Sequence, residues 1–227
     1  DNALLGVALN VKVGKRTQLY SQVILDEFLL EHVRGGDGWF GNKQGLQVGA
    51  VSHDVFHKQG LTLHGEVNYV RPFLYTHSDT RQNYAHHGEP VAHPYGSGFL
   101  EGIAQGEWRH GRWLLIDVLS YAIIGQDTSA DSYGNDIFLP ESDRALVDGV
   151  HAKDFGYYLG QPSQVLLMQN ELRAGWMLEP HSGLMLEAAW TFRSEDPEIG
   201  PSLTTNYLRI GLSANLWDRH PFQTVRP

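Results

Sequence analysis

Four of the twelve histidines fall in one segment, residues 72–97, among several tyrosines. They are His77, His86, His87 and His93. Nearby carboxylates, Asp79 and Glu89, would complete the ligand set of a metal ion such as zinc. The spacing, however, matches no standard zinc pattern such as H-E-x-x-H. We therefore predict a folded loop whose His and Tyr side chains hydrogen-bond backbone groups, with no metal site and no cofactor.

Two further patterns resemble functional motifs without having their context. Residues 36–41 fit G-x-G-x-x-G, but a strand-like alternation from Gln44 to Asp54 follows where a dinucleotide site requires a helix. The segment 125–164 is rich in Asp and Asn but lacks the spacing of an EF-hand calcium loop, which favours a solvated acidic loop. A G-x-S-x-G nucleophile elbow is absent. We predict no catalysis, although a carboxylate pair for glycoside hydrolysis stays open.

The elements that position these loops show an alternation of apolar and polar residues. Leu184 to Arg193 and Tyr207 to Trp217 each place apolar residues at every second position. Successive side chains of a strand point to opposite faces, so each segment predicts a strand with one apolar and one polar side. In an outer-membrane barrel the apolar side contacts lipid and the polar side lines the lumen. The predicted lumen-lining residues are Asp26, His64, Glu66, Glu101, Glu107, Arg109, Glu171, Arg173, Glu187 and Arg209.

The lengths of the connections favour such a barrel over a soluble sandwich or a lipocalin. The nine predicted strands are 3–13, 17–28, 44–54, 60–71, 98–110, 112–124, 165–178, 183–193 and 203–217. Short turns alternate with longer loops at 29–43, 72–97, 125–164 and 194–202, so the longer loops share one end. Short periplasmic turns and long outer loops are typical of outer-membrane barrels. We predict an all-β antiparallel transmembrane β-barrel over 1–217 with a tail at 218–227, in the outer membrane of a Gram-negative cell.

Composition and strand count limit the partners and the extent of the barrel. The net charge of −9 argues against nucleic acid, and the lack of cysteine excludes disulfides and thiolate metal sites. Single-chain bacterial barrels have an even number of strands. An odd count therefore predicts the C-terminal part of a larger barrel. The expected partners are outer-membrane lipid, surface polysaccharide and other outer-membrane proteins.

Several stretches resemble the capsule-assembly Wzi family and, within it, the Bacteroidetes outer-membrane proteins described as gliding-motility RemB-like. These stretches are 18–28, 42–45, 68–77, 83–96 and 133–138, in the order found in the family. The most specific part is the Asn-Tyr…Glu-Pro…His-Pro…Gly run from Asn83 to Gly96. The resemblance implies a large outer-membrane barrel that helps attach capsular polysaccharide to the cell surface without enzymatic chemistry.

We therefore expect a non-catalytic barrel that binds or attaches surface polysaccharide, or serves as a subunit of a cell-surface machine. Aromatic faces with Arg and His donors suit a sugar chain or its acidic groups. The expected ligand-binding residues are Arg71, Tyr75, His77, Tyr84, His86, His87 and His93. A passive solute channel and a hydrolase on a barrel scaffold are the alternatives. Charges of both signs in the predicted lumen favour an interior cross-linked by ion pairs over a wide channel.

Overall fold

The computed structural model describes residues 3–127, 131–180 and 182–214, and it is dominated by one antiparallel sheet. The strands are β1 (Leu5–Val13), β2 (Thr17–Leu25), β3 (Gln44–His53), β4 (Leu61–Val70), β5 (Ala85–His86), β6 (Glu89–Pro90), β7 (Phe99–His110), β8 (Trp113–Gln126), β9 (Ser163–Glu179), β10 (Leu184–Pro197) and β11 (Leu203–Ser213). β5 and β6 form a separate hairpin, and the other nine strands pair in chain order. The predicted all-β class and antiparallel sheet are confirmed.

In the residues that the structure describes, helical structure is limited to short pieces of the connections. They are α1 (Leu30–Gly35) and single 3₁₀ turns at Val55–His57, Thr80–Gln82 and Glu141–Asp143. None of the helices in the described residues is long and apolar enough to cross a membrane.

Successive connections lie at opposite ends of the sheet, because the chain reverses at each strand end. Those at one end are 14–16, 54–60, 111–112 and 180–183; at the other end 26–43, 71–98 and 127–162 are long, whereas 198–202 is shorter than 54–60. The last of these is shorter than the predicted 194–202. Glu195 still pairs with Leu203 and with Leu167, so the ladder continues to Pro197.

The predicted strand 17–28 also ends earlier, at Leu25. Beyond Leu25 the Asp26 N–H donates to the Lys43 carbonyl, and the Lys43 N–H donates to the Glu27 carbonyl. Two residues therefore oppose one, and the regular ladder ends here. Asp26, which we expected on the lumen side of a strand, therefore lies beyond the sheet.

The edges of the described sheet are β1, which pairs with β2, and β11, which pairs with β10. Within residues 3–127, 131–180 and 182–214 the sheet is open, and no closed barrel is formed. The predicted end of the last strand at Trp217 and the predicted tail 218–227 lie outside the described residues.

The sheet has two chemically different faces, as the alternation predicts. One, here called the apolar face, is exposed; Leu9 is 60% and Ile210 is 72% accessible. Its exposed members include Leu5, Val7, Val11, Leu19, Val23, Leu46, Val48, Leu63, Val67, Leu115, Leu119, Leu172, Leu186, Leu208 and Leu212. The opposite face, here called the charged face, carries His64, Glu66, Glu101, Glu107, Arg109, Glu171, Arg173, Glu187 and Arg209.

The buried core lies at one end of the sheet rather than between two sheets. The described parts of the connections 26–43, 71–98 and 127–162 fold together into a cap, in which Phe73 and Tyr157 are fully buried and meet edge to face with ring centres 4.9 Å apart. The Arg144 guanidinium lies 3.7 Å from the centre of the Phe40 ring, a cation–π contact. Below the cap, Phe99 and its buried neighbours cover the end of the charged face. The cap therefore belongs to the charged side of the sheet.

Candidate functional site

A cavity of about 240 Å³ lies where the cap meets the charged face of β2, β3 and β4. The side chains that give it its chemistry are Gln22, Gln47, Asn68, Tyr75, Tyr84 and His93. Three of the seven expected ligand-binding residues, Tyr75, Tyr84 and His93, thus meet at one place. The strands contribute the amides and the cap contributes the rings.

The three amides and one carboxylate form a single row of polar side chains across four neighbouring strands. Gln22 pairs with Gln47, Gln47 with Asn68, and Asn68 with Glu101. Because paired residues of an antiparallel sheet share a face and lie side by side, the four polar groups form a continuous strip, here called the amide row. Asn68 Nδ2 donates to Glu66 Oε1 at 2.8 Å and to Glu101 Oε2 at 3.3 Å. Asn68 is therefore held in place by two carboxylates, one of which, Glu101, is itself the last member of the row.

His93 is held by hydrogen bonds at both ring nitrogens. The Tyr95 N–H donates to Nδ1 at 3.3 Å, and Nε2 lies 3.1 Å from Glu101 Oε2. A neutral ring with its proton on Nε2 satisfies both contacts. The ring also stacks on Phe99, with centres 4.3 Å apart. His93 consequently presents a fixed ring edge and face to the cavity.

Tyr75 and Tyr84 form the aromatic wall. Their rings stack with centres 5.6 Å apart, and the Tyr84 N–H donates to the Tyr75 carbonyl at 2.9 Å. Tyr75 is 4% exposed, whereas Tyr84 is 40% exposed. Burial, with a smaller contribution from Tyr84, raises the pKa of Tyr75 to about 12. Tyr75 is therefore a neutral hydroxyl at physiological pH, and Tyr84 offers the open ring face.

A hydrogen-bonded chain leads from the amide row towards the middle of the charged face. The Tyr20 hydroxyl makes a short hydrogen bond to Glu66 and lies 2.6 Å from His64 Nε2. The side chains of Glu66 and Glu101 are 13% and 6% exposed. The two carboxylates behind it give the cavity a negatively charged floor. It suits neutral or positively charged ligand groups rather than acidic ones.

The remaining expected ligand-binding residues lie outside the cavity. Arg71 donates from Nη2 to the carbonyls of Trp39 at 3.4 Å and Tyr157 at 3.3 Å, so it joins segments of the cap. His77 lies in the cap, with Nδ1 3.4 Å from the Ser78 hydroxyl. His86 and His87 are exposed at the turn of the β5–β6 hairpin, with ring centres 4.0 Å apart.

The charged residues predicted for the lumen pair among themselves farther along the strands. Glu171 accepts from Arg173 at 2.6 Å and from Arg209 at 2.9 Å. Glu107 and Arg109 form a close ion pair, and Glu187 accepts from the Ser213 hydroxyl. Asp26 lies beside the cap, where burial raises its pKa even though Lys43 opposes the shift.

Metal chemistry has no evident site in the described part of the chain. No group of three or more His, Cys, Asp or Glu side chains among residues 3–127, 131–180 and 182–214 is arranged to hold a metal ion. The histidines that were considered as zinc ligands are separated, since His93 faces the cavity while His86 and His87 lie at the hairpin turn.

The amide row was missed by reasoning from the sequence. Gln22 and Asn68 are recognisable as polar positions of single strands, but only the pairing of strands places them beside Gln47. The available clue is that each amide lies close to a long connection: Gln22 and Asn68 lie three and two positions before the end of their strands, and Gln47 lies three positions after the start of its strand.

Comparison with known proteins gives no match: no protein-family model, no curated protein and no solved structure is significantly similar to this chain.

Proposed function

We propose that this chain belongs to an outer-membrane β-barrel of a Gram-negative cell. The observation that supports this proposal is the exposed apolar face of the sheet opposite a face that carries ion pairs. Soluble monomers rarely expose apolar patches larger than a few hundred Å². A bilayer covers such a face without cost, and a barrel satisfies the backbone hydrogen bonds of every strand.

Three aromatic residues of β8 and β9 on the apolar face support the same proposal. The ring centres of Trp113 and Trp176 lie 4.5 Å apart near the short turns, and Tyr121 lies further along β8 towards the cap. For strands rising about 3.4 Å per residue and tilted about 40°, Trp113 and Tyr121 are separated by roughly 20 Å across the membrane. This separation agrees with aromatic girdles flanking an apolar band about 25 Å tall.

The cap would then face the cell exterior, and its cavity is the proposed ligand site. We propose that the protein binds a surface polysaccharide there, without catalysis, and so helps attach it to the cell. The exposed ring of Tyr84 and the three amides are the groups that hold a sugar ring by stacking and hydrogen bonding, and the His93 ring lines the cavity beside them. About 240 Å³ is less than the roughly 300–1,000 Å³ of pockets for drug-sized ligands, which suits one sugar residue of a chain.

The location is tested by fractionating cells that make the full-length protein. We expect it in the outer membrane, soluble only with detergent, and migrating faster on a gel when unheated than when boiled. A protein that stays in the aqueous periplasmic fraction would contradict the barrel and make the apolar face the core of a sandwich.

The ligand is tested by surface retention of polysaccharide in matched variants. Y84A combined with H93A should release polysaccharide into the medium while the heat-dependent migration is unchanged. H86A combined with H87A is the control, because these histidines lie at the hairpin turn outside the cavity. Loss of retention only in the control pair would move the site to the hairpin, and retention in both would remove the proposed ligand.

A further inference from the structure

One carboxylate interrupts the apolar face. Away from the strand ends, Asp117 of β8 is the only Asp, Glu, Lys or Arg side chain that the described strands present there. It pairs with Leu172 of β9 and with Gly106 of β7, both on the same face. Its side chain is exposed and midway along β8 between Trp113 and Tyr121. If those rings mark the two membrane interfaces, Asp117 lies near the bilayer centre, about 10 Å from either ring.

The hydrogen bonds that Asn170 makes beside Asp117 leave only acceptor atoms of the two side chains free. Asn170 Nδ2 donates to Asp117 Oδ1 at 2.7 Å and to the Val118 carbonyl at 3.1 Å. These bonds use both amide hydrogens of Asn170. No other group of the described residues donates to Asp117 Oδ2 or to Asn170 Oδ1. The pair therefore offers a negative charge and a carbonyl, and lacks a donor.

Hydrocarbon cannot supply that donor, and a lipid headgroup is too far from the bilayer centre to do so. An uncompensated polar group costs free energy in an apolar medium, and polar residues at membrane depth pair with one another or face protein. A cationic side chain that reaches the same depth from another chain would supply the missing donor and keep the carboxylate ionised, and charge complementarity favours such a partner.

A depression in the apolar face begins next to this pair. It has a volume of about 770 Å³ and is lined by Leu119, Tyr121, Ala104 and Gly102 among others. Ala104 pairs with Leu119, the next residue after Asp117 on this face. Leu119 of the lining also pairs with Asn170, so the depression and the acceptor pair form one continuous surface.

We infer that the surface around Asp117 and Asn170 is a contact site for a second membrane protein. That partner presents an arginine or lysine side chain within its membrane-spanning part, which pairs with Asp117 while its apolar residues fill the depression. The inference rests on the proposed location of the apolar face in a membrane. Identical copies of this chain do not meet the requirement, since the apolar face offers no Arg or Lys away from the strand ends of the described residues.

The test uses the full-length protein in its own cells, with a photoreactive amino acid in place of Leu119. We expect irradiation to produce a discrete protein adduct whose cross-linked peptide carries Arg or Lys in a membrane-spanning segment. D117N should reduce this adduct at least tenfold, as should D117L, with unchanged heat-dependent migration. The same photoreactive residue at Ile210, on the apolar face but remote from Asp117, is the control and should label lipid.

The outcomes separate this inference from the proposed location. Lipid adducts alone at position 119, a protein adduct insensitive to D117N and D117L, or an adduct between copies of this chain would overturn the partner and leave the barrel standing. Loss of heat-dependent migration in the unsubstituted protein would instead overturn the barrel, and with it the basis of the inference.

Discussion

Lys43 contacts residues from all three connections that form the cap. Its side chain is fully buried, and Nζ donates to Glu141 Oε2 at 2.7 Å and to the Thr76 carbonyl at 3.2 Å. Glu27 Oε2 lies at 3.5 Å. One ammonium group therefore joins the three connections that make the cap, although its sequence position, just before a strand, gave no sign of this role.

Replacing Lys43 with Met should loosen the cap. The change leaves the Glu141 carboxylate, whose side chain is 13% exposed, without its cation, and breaking a buried pair in this way costs about 3–5 kcal/mol. Hydrogen exchange in 71–98 and 127–162 should accelerate, while the strands stay protected. K58M, in the short connection at the opposite end, is the matched control. Equal exchange in both variants would show that Lys43 does not hold the cap.

The raised pKa of Tyr75 makes the stability of the folded protein depend on pH in the alkaline range. Because its pKa is raised from 10 to about 12 in the folded protein, folding favours the neutral form. This contribution to stability is complete below about pH 10 and declines as the pH rises towards about 12. The tyrosinate absorbance of Tyr75, measured as the difference between the unsubstituted protein and Y75F, should therefore appear only near pH 12. Emergence near pH 10 would mean that the ring is exposed to water.

At the scale of the elements, alternation and turn residues predicted the strands, while contacts between connections were beyond prediction. The nine strands of the sheet agree with the predicted ones within a few residues, because apolar and polar positions alternate and Gly or Pro marks the turns. The site was only half predictable. Tyr84 and His93 are conspicuous in sequence, but the amide row depends on register, and Arg71 became a cap residue through carbonyls of Trp39 and Tyr157.

The β5–β6 hairpin is the element that presents Tyr84, and its turn can be tested. His87 and Gly88 both have positive φ, at 51° and 77°, as a two-residue type I′ turn requires. A Cβ on Gly88 would meet nothing within 4 Å, so G88A isolates the backbone strain of about 1–2 kcal/mol. Exchange of the Val91 amide, which donates to the Tyr84 carbonyl, should accelerate about tenfold.

The matched variant at the neighbouring position should have the opposite effect. Asn tolerates the left-handed region better than most residues, so H87N should slow or preserve exchange of the Val91 amide. Faster exchange in H87N than in G88A would argue against the type I′ turn.

At the scale of the whole molecule, the two faces of the sheet make opposite demands on substitutions. Leu208 and Tyr207 are neighbours on β11 and are 65% and 58% exposed, but they lie on the apolar and the charged face respectively. In water, both positions would tolerate lysine with little change in stability. In a bilayer only one would.

L208K should therefore destabilise the assembled protein by about 2–4 kcal/mol, the cost of lysine on the lipid face near the midplane, and Y207K should be nearly neutral. The measurement is the fraction of protein that shows heat-dependent migration after assembly into the outer membrane. Similar fractions for the two variants would place both faces in water and remove the barrel proposal.

The chain-order pairing of the sheet has a consequence for the time course of folding. Each strand of the sheet pairs with the strand before or after it, and contacts close in sequence form quickly because little loop-closure entropy is lost. The ion pair between Lys43 and Glu141 joins residues 98 positions apart, and four strands of the sheet, β3, β4, β7 and β8, lie between them in the chain. We therefore expect the hairpins from β3 to β8 to form before this ion pair closes the cap, so that the cavity takes its final shape later than those hairpins.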